Sequence, residues 1–535
     1  MQSPAPAPEA IEGAAPRTSY DEVPYSSFPY SQSHPNRLAV VGTLFGMTPA
    51  PVDRCRVLEL GCASGGNLIP MAAAFPEGSF VGIDLSSRQV AEGVQTIETL
   101  GLRNIELRCL SILDVDASMG QFDYVICHGV YSWVPEPVRQ KIFEICAERL
   151  NPQGIAYISY NTYPGWHMRG TVRDMMVFHV RRWSKPDDRV GQARGLLDWL
   201  VKTVPPDDNA YSSLLRGESE RIRNNADSYV LHEHLEAINE PVYFYQFADA
   251  AAAKGLQFIA EAQSGARWLE GLGPEAEQAV RQVARDVVEY EQYLDFLRNR
   301  MFRRSLLCHA DVPLHRNLDP KRVRRLYVAS AAIAQGAVSA ATNEEAKFRI
   351  EDGVLTTSSP LVKGALSILG PRWPEAMAVE DLIGETLTRL SAGSTISAAR
   401  AEEFADNLAT NIAHSFTRRA VELYCSPPQI RAIVDEFPKS TPLARLQAAT
   451  QPHVTTLLHE VAKINPLGRK LVLLADGTRN RADLFASLLA AVRNGELVMV
   501  DQAGQPRPDA PVEPALERSL ENGLKDLARL GLLCA

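Results

Sequence analysis

"VLELGCASGGN" (57–67) decides the fold. Three β-type residues lead into a glycine-rich turn, and an apolar helix follows from Leu68 to Phe75. From Arg56 to Tyr160 the same alternation repeats. Strands are predicted at Val57–Leu60, Phe80–Ile83, Ile105–Arg108, Tyr124–Cys127 and Ile155–Ser159. Helical stretches such as Arg88–Leu100 and Pro137–Leu150 lie between them. Strands alternating with helices of this length predict a doubly wound, Rossmann-like α/β sheet with parallel strands.

Working outward, the turn limits the ligand. A phosphate-binding P-loop ends in Lys followed by Ser or Thr, and Gly65-Gly66-Asn67-Leu68 supplies neither. A dinucleotide site wants GxGxxG, whose second glycine lets a pyrophosphate approach the backbone. The turn here reads Gly61-Cys62-Ala63-Ser64-Gly65-Gly66 and lacks that glycine. S-adenosylmethionine carries no phosphate and still needs a close, small-residue turn, here Gly61, Cys62, Ala63, Gly65 and Asn67. Glu59 at the end of the first strand sets a carboxylate where the methionyl ammonium would lie. Asp84 ends the second strand in "VGIDLS", with Leu85 after it. A carboxylate there can accept both ribose hydroxyls, as the acidic residue of a dinucleotide site does. "CLSILD" (109–114) follows the third strand, where the adenine would lie. Ser111 or Asp114 is placed to hydrogen-bond the base and Ile112 to pack on its face. Glu59 alone reads equally well as a surface charge, and Asp84 alone as a helix cap. In this order, on this strand pattern, they point to S-adenosylmethionine.

In an open α/β sheet ligands bind beyond the carboxyl ends of the strands. The fourth strand runs into "FDYVICHGVYSWVPEP" and the fifth into "YISYNTYPGW". His128, Tyr131, Trp133, Tyr160, Asn161, Tyr163 and Trp166 are therefore expected to converge where the methyl acceptor sits, with His128 nearest the cofactor. Tyr131, Trp133, Tyr160, Asn161 and Trp166 are the candidate catalytic residues. Aromatic faces suit methylated ammonium groups through cation–π attraction, about 0.5 to 2 kcal/mol. Desolvation lowers a lysine pKa and helps it deprotonate. No carboxylate–His pair stands out as a strong general base, so positioning is expected to do most of the work.

"YDEVPYSSFPYSQSHPNRLA" (20–39), "ELGCASGGNLIPMA", "CHGVYSWVP", "YNTYPGW" and "LHEHLEAINEPVYF" together resemble one bacterial family. It is the class I methyltransferases with an appended methyltransferase regulatory domain, similar to the rickettsial protein lysine methyltransferases that modify outer-membrane proteins. The resemblance runs from about Tyr20 to Ala310 and more loosely to the end. It implies lysine N-methylation on a protein and dimerisation as a homodimer. It also implies an N-terminal arm that closes over the cofactor, bringing Tyr30 and His34 to the site; the alternative is an arm that only packs on the sheet. Two competing readings stand beside it: a small-molecule or biosynthetic methyltransferase, and a non-catalytic binding protein on the same fold. Intact Glu59, Asp84 and glycine turn argue against the last.

The rest of the chain frames this unit. It has 535 residues, 45% apolar and 22% charged, with a net charge of -9, which predicts several soluble domains and no general nucleic-acid coat. No apolar run approaches a membrane span. The Pro/Ala-rich start shows no secretory signal, and 1–19 is expected to be a disordered tail. The eight cysteines form no CxxC pair, so neither a metal site nor a disulfide framework is expected and a cytoplasmic location fits. Cys109 and Cys127 are expected as core thiols. The expected organisation is a methyltransferase domain over 20–310, with a helical insertion over 168–235 and the sheet completed by strands near 256–261 and 303–309. Two small α+β, winged-helix-like modules follow, over 311–430 and 431–535. In "LHEHLEA" (231–237) His232 and His234 fall on different helix faces, so a partly exposed helix is expected rather than a metal site. The basic runs "RNRMFRR" (298–304) and "KRVRR" (321–325) read as solvated faces or as a surface for an acidic peptide.

Overall fold

The computed structural model describes residues 19–23, 27–207, 209–262, 274–317, 319–351, 353–391, 397–498 and 512–534. The expected tail over 1–19 lies outside the described residues except for Ser19, which opens a short helix, Ser19–Glu22.

The central sheet has seven strands: β1 (Arg56–Leu60), β2 (Ser79–Asp84), β3 (Ile105–Cys109), β4 (Phe122–Cys127), β5 (Leu150–Asn161), β6 (Leu256–Glu261) and β7 (Phe302–His309). Their spatial order is β3-β2-β1-β4-β5-β7-β6. The first five pair in parallel, while β7 runs antiparallel between β5 and β6. The two late strands thus complete the same sheet. Both faces are covered, as a parallel sheet requires. Val57, Tyr124, Ile155 and Tyr157 pack on one side with the helix Pro35–Leu44, while Leu58, Val125, Ile158 and Tyr160 pack on the other. The helix Ser87–Leu100 begins where the Ser86 hydroxyl accepts from the Gln89 N–H and ends at left-handed Gly101, the usual chemistry of the two ends.

The helical insertion begins three residues earlier than expected, because Gly165 opens its first helix (Gly165–Val180). Gly165 is required there: a Cβ would lie 2.4 Å from the Asn299 carbonyl oxygen. Helices Pro186–Thr203, Ala210–Arg223 and Asp227–His234 follow and share their own core of Val172, Met176, Leu197, Leu215 and Leu231. Beyond 311, a second core gathers Val328, Phe348, Leu366, Leu382, Leu408 and Phe416, and a third gathers Ala444, Val454, Leu471, Leu488, Leu520 and Leu532.

Three sequence expectations are corrected. Cys127 is buried but Cys109 is exposed, because β3 is an edge strand whose end is left open. His232 and His234 are both buried rather than partly exposed, since their helix is packed by the insertion and by the backbone of Val23. "RNRMFRR" is no solvated face: Arg300 and Arg303 are buried among Glu261, Glu291 and Asp295. The "KRVRR" run keeps a solvated face at Lys321 and Arg325, while Arg324 is paired within the chain to Glu380, Glu402 and Asp406.

Candidate active site

The site forms at the carboxyl edge of β1, β2, β4 and β5. After β1 the chain turns with Gly61 at φ +75, Ala63 at φ +49 and Gly65 at φ +76. A Cβ on Gly61 would strike the Val130 side chain at 2.4 Å. The Gly61 and Cys62 N–H groups donate to the Ile83 carbonyl at 2.9 and 3.0 Å, tying the turn to β2. Asp84 spans the same joint: its carboxylate accepts from the Ala63 N–H at 2.8 Å and from the Ser86 N–H at 2.9 Å. Burial raises the Asp84 pKa, and these two N–H groups hold it down in part. Cys62 is a core side chain, so only its backbone belongs to the turn.

Glu59 is 3% exposed. Its Oε1 accepts from the Asn67 Nδ2 at 2.7 Å, while its Oε2 is buried and has no hydrogen-bond partner among the described residues. Burial pushes its pKa up to about 8, against the pull of Asn67. A buried carboxyl oxygen with no partner is costly to leave so, and an ammonium group is the donor it fits. That fit, with a phosphate-free turn of small residues and a second carboxylate one strand away, suits S-adenosylmethionine. Leu85 is exposed at the same edge, and Ser111 caps the short helix Ile112–Asp114 beside it, accepting from the Leu113 N–H at 3.2 Å.

The N-terminal arm lies across this turn. Ser27 Oγ accepts from the Gly66 N–H at 2.8 Å, and the Tyr30 N–H donates to Asn67 Oδ1 at 2.9 Å. The Tyr30 ring lies 3.8 Å from that of His128. Burial, with the Glu59 and Glu233 carboxylates, pushes the Tyr30 phenol up to about 12. His34 sits on the far side of the arm, where its ring meets Phe75 and His459.

Strand alternation sorts the β5 residues. Successive side chains point to opposite faces. Tyr157, Ser159 and Asn161 share one face. Tyr157 OH bonds His128 Nδ1 at 2.9 Å, Ser159 Oγ accepts from the Gly129 N–H at 2.7 Å, and Asn161, 4% exposed, donates through Nδ2 to Asn239 Oδ1 at 3.0 Å. Burial lowers the His128 pKa to about 3, so its ring is neutral. Tyr160 stands on the other face, stacked 4.1 Å from Phe247, with its hydroxyl 3.0 Å from Ser305 Oγ. Tyr131 packs in the same aromatic cluster against Tyr160, Phe143 and Phe247. Tyr131 and Tyr160, expected to line an acceptor channel, are thus both held in this aromatic cluster, on the face of β5 opposite Tyr157 and Asn161. Trp133 and Trp166 do meet, edge to face at 6.5 Å. Sequence reasoning missed Tyr157, Ser27, Asn239 and His459. Period-two alternation along β5 was the available signal for Tyr157; nothing local pointed to the others.

A cavity of 540 Å³ opens behind His34 and His459, lined also by Arg37, Phe75, Glu422 and Tyr424. Glu59, Gly61 and Asp84 are not among its walls, so it does not open on the glycine turn.

Family comparisons agree with this geometry. Residues 57–154 match a methyltransferase domain, 226–309 a "predicted methyltransferase regulatory domain", and 436–532 a "PKMT, C-terminal winged helix domain". A Rickettsia prowazekii (strain Madrid E) protein, RP789, is 34% identical over 489 residues, covering 90% of this chain and 87% of the relative. The structure of PKMT2 from Rickettsia typhi in complex with AdoHcy superimposes with a TM-score of 0.86 at 31% identity, over 95% of this chain and 100% of that one. A second structure of the same protein gives 0.84 at 30% identity, over 96% and 100%. None of the described helices is long and apolar enough to cross a membrane. The chain belongs to the class I methyltransferases that carry a methyltransferase regulatory domain and a C-terminal winged-helix domain, and its cofactor is S-adenosylmethionine.

Proposed function

We propose that this chain methylates lysine side chains of a protein. The whole-length likeness to PKMT2 carries the reading, because it includes the C-terminal winged-helix domain and not only the nucleotide half. The division into 20–310, 311–430 and 431–535 belongs to the same reading, supported by separate packing of the cores beyond 311.

When bound, S-adenosylmethionine supplies a methyl group activated on a sulfonium. In this reading Glu59 Oε2 takes its ammonium, Asp84 its ribose hydroxyls, and Leu85, Ser111 and Ile112 the adenine. The acceptor lysine must be neutral to attack. Neutral His128, the Tyr157 hydroxyl and the Asn161 carboxamide offer it polar contacts without a fixed positive charge, and the Trp133–Trp166 pair supplies an aromatic wall. Desolvation favours the uncharged amine, and holding it in line accounts for most of the rate.

The test is intact-mass analysis of candidate acceptor proteins incubated with enzyme and isotopically labelled cofactor. Label on lysine is expected. Label found on hydroxyls or small metabolites and never on lysine would replace this reading with the small-molecule alternative. Asn161→Ala should lower kcat by roughly a hundredfold while leaving cofactor affinity nearly unchanged, a split measured by steady-state kinetics beside calorimetry. A homodimer is part of the reading. Phe178 and Trp199, on adjacent helices of the insertion, are 61% and 58% exposed, as a partner-facing surface would be. Sedimentation equilibrium at twice the 58.8 kDa chain mass is the expected result, and a monomer at micromolar concentration would exclude it.

A further inference from the structure

We propose that His459, carried on the C-terminal winged-helix domain, is a positioning residue of the cofactor site, fixing the Asn67 carboxamide that aims at Glu59. His459 lies in the turn between the strands His453–Thr455 and Val461–Lys463, 392 residues from Asn67 in sequence. Its Nε2 is 2.8 Å from Asn67 Oδ1, and the residue is 5% exposed.

The surrounding bonds settle which atom faces which. The Tyr30 N–H can only donate, and it points at Asn67 Oδ1. Asn67 Nδ2 points at the Glu59 oxygen. The atom facing His459 is therefore an acceptor, so the imidazole carries its proton on Nε2. Burial and the neighbouring His34 hold His459 well below the usual histidine range, which keeps the ring neutral and this single N–H in place. His459 adopts φ +59, and its own N–H donates to the Thr456 carbonyl at 3.0 Å. Two residues back in the same turn, the Leu457 N–H donates to the Gly531 carbonyl at 2.9 Å. The ring's position is thus set by the C-terminal domain, not by the sheet. With the imidazole gone, Asn67 Oδ1 would face the 540 Å³ cavity behind His459. Water would reach it, and the amide would keep its Tyr30 and Ser33 contacts on Oδ1 but lose the one that the C-terminal domain supplies.

The test uses the full chain and S-adenosylhomocysteine affinity by calorimetry, which needs no acceptor and so stands apart from the lysine reading. His459→Asn tolerates the left-handed backbone but is too short to reach Asn67. It should weaken binding on the order of tenfold, the loss expected for one buried hydrogen bond. His459→Gln places an N–H near the Nε2 position and should bind within about twofold of the native chain. In a double-mutant cycle with Asn67→Ala the two losses should not add. Native affinity in His459→Asn, equal losses in the Asn and Gln variants, or full additivity in the cycle would each overturn the proposal. If Asn67→Ala does not fold, the Asn and Gln pair decides alone.

Discussion

In the proposed reading Glu59 couples cofactor binding to pH. Its pKa of about 8 in the folded chain lies far above the ordinary glutamate value, so the folded state binds a proton that the unfolded chain gives up near pH 4. For the protein without cofactor, stability from this group is present at low pH and falls as pH rises toward 8. Binding an ammonium against Oε2 requires the carboxylate, so the cofactor must displace that proton. Affinity for S-adenosylhomocysteine is expected to rise by up to tenfold per unit between pH 6 and about 8, and to flatten above that once Glu59 is ionised. Glu59→Gln should bind weakly with no such rise. A flat wild-type profile, read by calorimetry across pH, would remove Glu59 from the ammonium position. At this scale the sequence was readable where a residue ends a strand: Glu59 and Asp84 follow from pattern and spacing. It places Asn67 in the turn but is silent on His459, whose contact with Asn67 spans 392 residues and depends on how separate cores dock.

Among the elements, β5 shows what a strand boundary hides. The apolar run predicts a strand over 155–159, whereas the strand runs over Leu150–Asn161, so Tyr160 and Asn161 belong to it and not to the loop that follows. Extending the strand imposes alternation, which sends Tyr160 into the core with Phe247 and brings Tyr157 to His128. The seven-stranded sheet itself was legible, late strands included, because strong apolar runs and glycine stops mark them. Side-chain direction at the site was not, because it turns on one residue of register. The pair Tyr157→Phe and Tyr160→Phe separates the two faces. Tyr160→Phe removes one hydroxyl from a buried bond to Ser305, which still donates to Glu261, and should cost about 1 kcal/mol of stability with kcat unchanged. Tyr157→Phe frees the His128 ring and should lower kcat several-fold at a similar cost in stability. Thermal melts and steady-state kinetics on both variants check this; a kcat loss in Tyr160→Phe alone would return Tyr160 to the site.

Across the whole molecule, the segment 27–44 acts as a clasp. Its Ser27 and Tyr30 hold the glycine turn, His34 meets the C-terminal domain, and the helix Pro35–Leu44 packs Leu38 and Val41 against the sheet but Val40 into the core beyond 311. Asn36 is the polar centre of that joint. Its Oδ1 accepts from the Cys425 and Ser426 N–H groups at 2.7 and 3.3 Å, and its Nδ2 donates to the Ser426 carbonyl. Nearby, Arg37 pairs with Glu422 at 3.4 Å and lies 4.3 Å from the Phe416 ring. Regions with separate cores need not melt together, yet these contacts tie the cofactor turn to both later regions. The native chain is therefore expected to unfold in one calorimetric transition that S-adenosylhomocysteine shifts upward as a unit, by about 2.7 kcal/mol at a hundredfold excess over Kd. Asn36→Leu leaves two N–H groups and one carbonyl at the joint without partners, each costing roughly 1 to 3 kcal/mol, while Leu keeps an apolar volume in place. That variant should split the trace in two, with the ligand shifting only the transition that contains the sheet. Two transitions in the native protein, or one unsplit and uniformly shifted transition in Asn36→Leu, would show that the clasp does not couple these regions.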